Sequence, residues 1–375
     1  MLAGCYSFLV TTESSIDNNS ERLSYKSQLD TLRLIAVMLV FHFHAGVFLE
    51  HNGNHFPYGA LGVQIFFVLS GFLITRILEA NQTGALLSDL KTFYVRRCLR
   101  IFPAYYALIF FLLLIGQLPF PLFQFTYLFN LKVFLDKGFT GTVVHFWSLC
   151  VEEQFYLLYP LALLLTPKKL RVVLFSILIV ASIAANFYAH AVFNDRPYYM
   201  LLPVCGQFLL FGCLAGHAQL RGWTNKVSGT HLMIAGVILQ AIDQYLVLST
   251  QGFSDKNDLF WYRNYTLSAF SIALFVLGLW QTRNALVLKI FNYRPFAYLG
   301  KISYGIYLYH PFGFVLRAMI CYFMPAAKIV NGEFVAFVIT IVWSILSWQF
   351  FESRVLKLKE RFAYRGEVSQ EVKAA

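Results

Sequence analysis

Charge is scarce in this sequence. Asp, Glu, Lys and Arg make up 13% of its 375 residues, against 58% hydrophobic and 18% aromatic side chains, with a mean hydropathy of +0.60. A soluble domain covers itself with about 25% charged residues, so the bilayer has to be the main solvent of this chain. Cysteine offers no framework either. The six present (Cys5, Cys98, Cys150, Cys205, Cys213, Cys321) are scattered without a CxxC pair and read as apolar fillers, giving no ground for a disulfide or a metal site. GxSxG, the P-loop and HExxH are all missing, so neither a serine nucleophile elbow nor a phosphate-cradling loop nor a zincin site is expected. There is no internal repeat, no low-complexity stretch, and no remaining segment for a soluble domain of useful size. Leu2-Ala3-Gly4-Cys5 resembles a lipoprotein cleavage box, but the basic and apolar stretch that should precede it is lacking, so it is expected to stay unprocessed.

What the chain does have is apolar stretches of about 20 residues, each long enough to cross a hydrocarbon core as a helix. They fall near 31–49, 60–78, 101–118, 146–165, 171–190, 198–217, 231–249, 262–281, 296–320 and 333–353. The stretch 119–135 is apolar too, but Pro119, Pro121 and Lys132 make it a re-entrant or interfacial segment. Net charge is +11, which in a soluble protein would suggest nucleic acid. Here the basic residues sit in short gaps between apolar segments, so no nucleic-acid partner is expected. With the N-terminus inside, 23 of the 30 Lys and Arg fall on the inner side and six in outer loops, with Arg317 inside a span. That asymmetry is what the positive-inside rule produces. The expected fold is therefore an all-α polytopic membrane protein of about ten transmembrane helices with N- and C-termini cytoplasmic. Residues 1–25 form a lead-in, 26–355 the transmembrane domain and 356–375 a basic tail.

Polar residues inside such spans are costly and point to function. In the first span, Arg33 and His44 are eleven positions apart, which puts them on one helix face with about 16 Å of rise between them. Arg33 then lies near the cytoplasmic surface and His44 in the outer half. His42 points nearly opposite. Taken alone, the pair reads equally well as a snorkelling Arg and a structurally bonded His. The fourth span carries Trp147-Ser148-Leu149-Cys150-Val151-Glu152-Glu153-Gln154-Phe155-Tyr156, where two adjacent acids cannot share a helix face. Entering from outside, it places Glu152 in the outer half, at a depth expected to match His44. A His and a carboxylate there are the ingredients of general base catalysis, although a buried structural pair has the same composition. Arg97 and Arg100, in the expected loop before the third span, are one turn apart and aimed the same way. Guanidinium groups at that spacing bind phosphate well; by themselves they read more simply as a positive-inside anchor. Ser70, in Val68-Leu69-Ser70-Gly71-Phe72, reads as a small packing residue.

These segments together resemble the membrane-bound acyltransferase family 3, the group containing O-antigen and Nod-factor acetylases. The resemblance is carried by Leu29-Asp30-Thr31-Leu32-Arg33 with His44, by Gly62 to Ile74, by Arg96 to Pro103, by Trp147 to Tyr156 and by Leu299 to His310, in family order across about residues 25–355. It implies that His44 is the catalytic histidine, that Glu152 is the acid supporting it, and that Arg33, Arg97 and Arg100 belong to the acyl-donor site. Gln64 departs from the family, which often has Asp there, and no acidic role carries over. Some members carry a C-terminal hydrolase-like domain, whereas here a short basic tail follows the last span. The implied activity is O-acyl transfer in a bacterial inner membrane, from cytoplasmic acetyl-CoA or another acyl-CoA to a hydroxyl of an extracytoplasmic carbohydrate or glycoconjugate, without a metal. Two other classes remain beside it. Intramembrane Arg, His and Glu suit a proton-coupled transporter or flippase as well, though no repeat relates two halves of the chain. A structural subunit of a glycan-assembly complex would tolerate changes at His44.

Overall fold

A computed structural model describes residues 25–49, 58–138, 141–249, 265–324 and 331–362. Every regular element among them is helical, as the bilayer requires, because a helix satisfies its backbone hydrogen bonds within one segment. The chain is an all-α polytopic membrane protein. Its helices are α1 (Ser27–Phe48), α2 (Gly59–Asn81), α3 (Leu86–Leu114), the short α4 (Pro121–Phe125) and α5 (Phe129–Leu135), α6 (Phe146–Leu165), α7 (Arg171–Val192), α8 (Leu202–Leu220), α9 (Gly229–Ser249), α10 (Tyr265–Gln281), α11 (Ala285–Phe291), α12 (Arg294–Lys301), α13 (Ser303–Phe323) and α14 (Gly332–Ser347). Among the described residues, seven helical stretches are long and apolar enough to cross a membrane: α1, α2, α3, α6, the run ending in α7, α13 and the run beginning with α14. An eighth is added if α10 and α11, bent by 103°, count as one broken span. The expected spans at 198–217 and 231–249 exist as α8 and α9 but fall outside that set. α8 is the interior helix, buried on nearly every position from Val204 to Ala218.

Three expectations need correcting in detail. α3 starts at Leu86, so Arg97 and Arg100 lie on a continuous helix and not in a loop. No Gly or Pro interrupts 86–102, and Phe93 and Ile101 are buried, so the interfacial segment gains packing by staying helical. The expected span 296–320 is broken at Ile302 into α12 and α13. Here Gly300 lies against the backbone carbonyl of Asp30, a contact that any side chain would block. Finally, Arg76 and Arg171, two of the 23 basic residues assigned to the inner side, are interior at 3% and 1% exposure. Arg76 lies over the Trp280 ring at 3.9 Å. Arg171 reaches Glu79 at 3.4 Å and donates to Gln82 at 2.8 Å, while His217 holds the same Glu79 at 2.7 Å. This network ties the ends of α2, α7 and α8 together.

The segment 119–135 is the short pair α4–α5 and does not span. Its irregular backbone is satisfied by the protein: Tyr105 and Tyr106 of α3 donate to the carbonyls of Gln124 and Phe125 at 2.9 and 3.0 Å. Gln154 of α6 donates to the Tyr127 carbonyl and to Asn130 at 2.9 and 2.8 Å. Irregular backbone at membrane depth survives where protein groups replace water in this way.

Without a hydrophobic driving force between helices in lipid, close backbone approach does the packing. α2 and α8 show it: a Cβ on Gly212 would meet the Val68 carbonyl and stand 2.9 Å from the Phe72 nitrogen, and one on Gly71 would meet the Leu209 carbonyl. Both obstacles are backbone and cannot swing away. Gly212→Leu is therefore expected to destabilise the bundle by about 3 kcal/mol or more, read as a lowered melting temperature in detergent. An unchanged melting temperature would mean that the two helices do not meet there.

Candidate functional site

Two features converge at the centre of the bundle, at different depths. The first is a cavity of about 170 Å³ walled by α1, α2, α3, α6 and α13. Arg33, Arg97, Arg100 and Glu152, singled out from the sequence, all line it, with Glu153, Ser70, Tyr156, Ser148, Tyr304 and Tyr307. Arg33 is paired one turn back with the buried Asp30, which also accepts from Tyr25. Arg97 and Arg100 differ. Neither has a carboxylate within ion-pair distance among the described residues. The Arg97 guanidinium stacks on Tyr156 at 4.3 Å and its buried Nε has no hydrogen-bond partner. Arg100 feels the charges of both Arg33 and Arg97. Clustered guanidinium groups facing one cavity, one of them with an unsatisfied donor, suit an anion with several oxygens.

Glu152 lines the same cavity, linked to Arg97 through Tyr156. It accepts from Ser70 at 3.1 Å and from Tyr156 at 2.8 Å, and Tyr156 also donates to Ser70 at 3.0 Å. Ser70 is thus part of the polar wall, and its neighbour Gly71 is the packing residue. The structure does not bring Glu152 to His44. Helix rise sets them apart: His145, just before α6, shares the histidine cluster with His44, and Glu152 follows seven residues later, about 10 Å along the axis. Glu152 therefore belongs with the arginines.

The second feature is a cluster of three histidines. The His44 ring lies 4.8 Å from that of His310 in α13, and His310 lies 4.9 Å from His145 at the start of α6. Backbone carbonyls set the protonation pattern of each ring. His44 Nδ1 is 2.9 Å from the Val40 oxygen, so it carries the proton and leaves Nε2 as the basic nitrogen. His310 Nδ1 donates to the Tyr307 oxygen at 2.7 Å, and His145 Nε2 to the Leu308 oxygen at 3.2 Å. His310 is fully buried and His145 2% exposed, and the remaining ring nitrogen of each has no hydrogen-bond partner. His44 is half-buried, with Phe43 and Phe48 beside its ring at 5.3 and 6.4 Å. His42 is exposed and paired with Glu333, apart from the cluster.

Ser148 and Tyr307 form the partition between the two features. Their hydroxyls lie 2.5 Å apart, and each donates to the His145 carbonyl, at 3.2 and 3.0 Å. Both also line the arginine cavity. A polar seam thus runs from the guanidinium groups past Glu152 and Tyr307 to the histidines. His145 and Ser148 carry no role in the sequence reading, and His310 enters it only as the end of a matched segment. The available signal for His310 was a His-Pro pair in mid-span. The loops 50–60 and 250–262, expected on the outer side and holding His51 and His55, lie largely or wholly outside the described residues. No group of three or more His, Cys, Asp or Glu among the described residues is arranged to hold a metal ion.

Comparison with known proteins supplies the chemical context. The family described as an acyltransferase domain matches residues 26–351. A peptidoglycan O-acetyltransferase of Listeria monocytogenes is 29% identical over 318 residues, covering 76% of this chain and 49% of its own length. An O-acetyltransferase of Staphylococcus aureus is 27% identical over 356 residues, covering 89% of this chain and 57% of its own. The chain thus spans about half the length of the curated relatives it matches. No solved structure matches it.

Proposed function

The chain belongs to the acyltransferase domain family, and from that membership we propose that it is a membrane O-acetyltransferase. It moves an acetyl group from acetyl-CoA on the cytoplasmic side to a hydroxyl of a cell-wall polysaccharide or its glycoconjugate precursor on the other side. The observation that carries this reading is the arrangement of two unlike sites in series. Arg97 and Arg100, with no carboxylate within ion-pair distance among the described residues, take the phosphates of the donor, with Arg33 at the same mouth. His44, about 16 Å of helix rise from Arg33, meets the acceptor. The elongated pantetheine arm of coenzyme A suits a path between them past Tyr156 and Tyr307. His44 Nε2 removes the acceptor proton as its oxygen attacks the thioester carbonyl. The carbon–sulfur bond breaks, and the leaving sulfur takes up a proton. Direct transfer needs only positioning and a base. Glu152, held by Ser70 and Tyr156, serves as the anionic wall that orients Arg97 and Arg100, in place of the imidazolium support expected from sequence. The polysaccharide class is taken from the Listeria relative, and the orientation from the basic residues of the inner loops.

Inverted membrane vesicles supplied with radiolabelled acetyl-CoA test this. Label should appear covalently in glycan or lipid-linked glycan with vesicles containing the protein and not with vesicles lacking it. Protein-dependent movement of label without covalent attachment would replace the transferase by a transporter.

A further inference from the structure

His310 is followed by a proline inside α13, and the consequence can be worked out from the backbone. Pro311 has no N–H, so the carbonyl four residues back, on Tyr307, loses its helical donor. That carbonyl accepts from His310 Nδ1 at 2.7 Å. The next carbonyl, on Leu308, accepts from His145 Nε2 at 3.2 Å. The proline thereby frees the carbonyl that orients His310 and leaves its Nε2 unprotonated, while His145 is held by the neighbouring carbonyl. The outcome for His310 is unusual: a fully buried ring nitrogen with a lone pair and no donor, in a ring 4.8 Å from His44. A buried acceptor left bare costs free energy and calls for an explanation.

We propose that His310 is a positioning residue for the acetyl transfer: its bare Nε2 accepts a hydrogen bond from His44 Nε2–H once His44 has taken the acceptor's proton. The inference rests on the reading of His44 as the base. In the resting state both nitrogens carry lone pairs and no bond joins the rings. When the acceptor O–H breaks and its proton moves to His44 Nε2, that nitrogen becomes a donor, and His310, its ring 4.8 Å away, offers it an acceptor with no other partner. The interaction exists only after proton transfer begins, so it lowers the barrier without tightening ground-state binding. The proton stays on the His44–His310 pair until it is returned to the leaving sulfur, and no outside reactant is needed. His145, 4.9 Å from His310 and fixed by the adjacent carbonyl, packs beside the pair.

The test compares His310→Asn and His310→Gln in purified full-length protein, with kcat and KM measured for acetyl-CoA and for acceptor. Asn can keep the donor to the Tyr307 carbonyl but has no group at the Nε2 position. Gln can place an acceptor near that position. His310→Asn should lower kcat about tenfold or more, in the range of a lost acid–base interaction, with both KM values unchanged. His310→Gln should recover a measurable part. Pro311→Ala, which restores the backbone donor to Tyr307, should lower kcat in the same way and serves where a position 310 variant fails to fold. Wild-type kcat in His310→Asn or in Pro311→Ala, or equal losses in Asn and Gln, would overturn the role of His310 while leaving the acetyltransferase standing. A wild-type protein that transfers nothing, or a His44→Ala variant that still transfers, would overturn the underlying reading instead.

Discussion

His44→Ala is expected to lower acetyl transfer by a factor of about 10² to 10⁴, the usual contribution of a general base, while the protein still inserts and folds. The structural cost is small. The imidazole is half-buried and makes one hydrogen bond, to the Val40 carbonyl, so its removal costs about 1 kcal/mol for that bond. The Val40 carbonyl is a helix acceptor with a backbone donor of its own, so no buried group is stranded. The chemical cost is large because no other basic nitrogen can take over from the same place: His42 is turned away to Glu333 and His310 is fully buried behind the His44 ring. Initial rates from acetyl-CoA, with membrane amounts matched by immunodetection, measure it. A variant retaining most of the wild-type rate would remove His44 from the chemistry and favour a structural subunit, the reading that tolerates change at this position.

The parts of this site that were legible in the sequence are those that lie on one helix or within one turn. Arg33 and His44 follow from helical periodicity, and Arg97 with Arg100 from a three-residue spacing. Arg33, Arg97 and Arg100 line one cavity, while His44 meets His310. What periodicity cannot supply is register between helices. Glu152 was expected at the depth of His44 because both fell in the outer half of their spans. The structure anchors α6 to the histidine cluster through His145, and seven residues of rise then carry Glu152 down to the arginines. Likewise His145 and His310, 165 positions apart in the chain, share a cluster only because α6 and α13 meet. Ser70 was read as packing because a serine beside a glycine in an apolar run looks like one. The neighbouring glycine does the packing, against the Leu209 carbonyl, which turns Ser70 toward Glu152. The helical class and most span positions, by contrast, needed only segment length and hydropathy. Those are properties of each stretch by itself.

The second large effect is expected at the donor end. Arg97→Ala with Arg100→Ala should raise the KM for acetyl-CoA by about 10² or more, each lost charge-assisted hydrogen bond counting for about 1.5–3 kcal/mol. The effect should fall mainly on KM, because these groups face the cavity and not the histidine cluster. Lysine replacements separate charge from geometry. Arg97→Lys keeps the positive charge beside Glu152 but gives up the planar stacking on Tyr156 and the forked donors. It should therefore fall between wild type and Ala, closer to Ala if the fork recognises two phosphate oxygens at once. Acetyl-dephospho-CoA, lacking one phosphate, provides the matching change on the ligand. If the arginines hold that phosphate, its removal should weaken wild type strongly and the Arg97→Ala, Arg100→Ala double variant hardly at all, since interaction energies between partners are not additive. Equal losses in both proteins would place that phosphate outside the arginine cavity. A double variant with wild-type KM would leave the two guanidinium groups as membrane anchors, the simpler reading that their sequence position alone allowed.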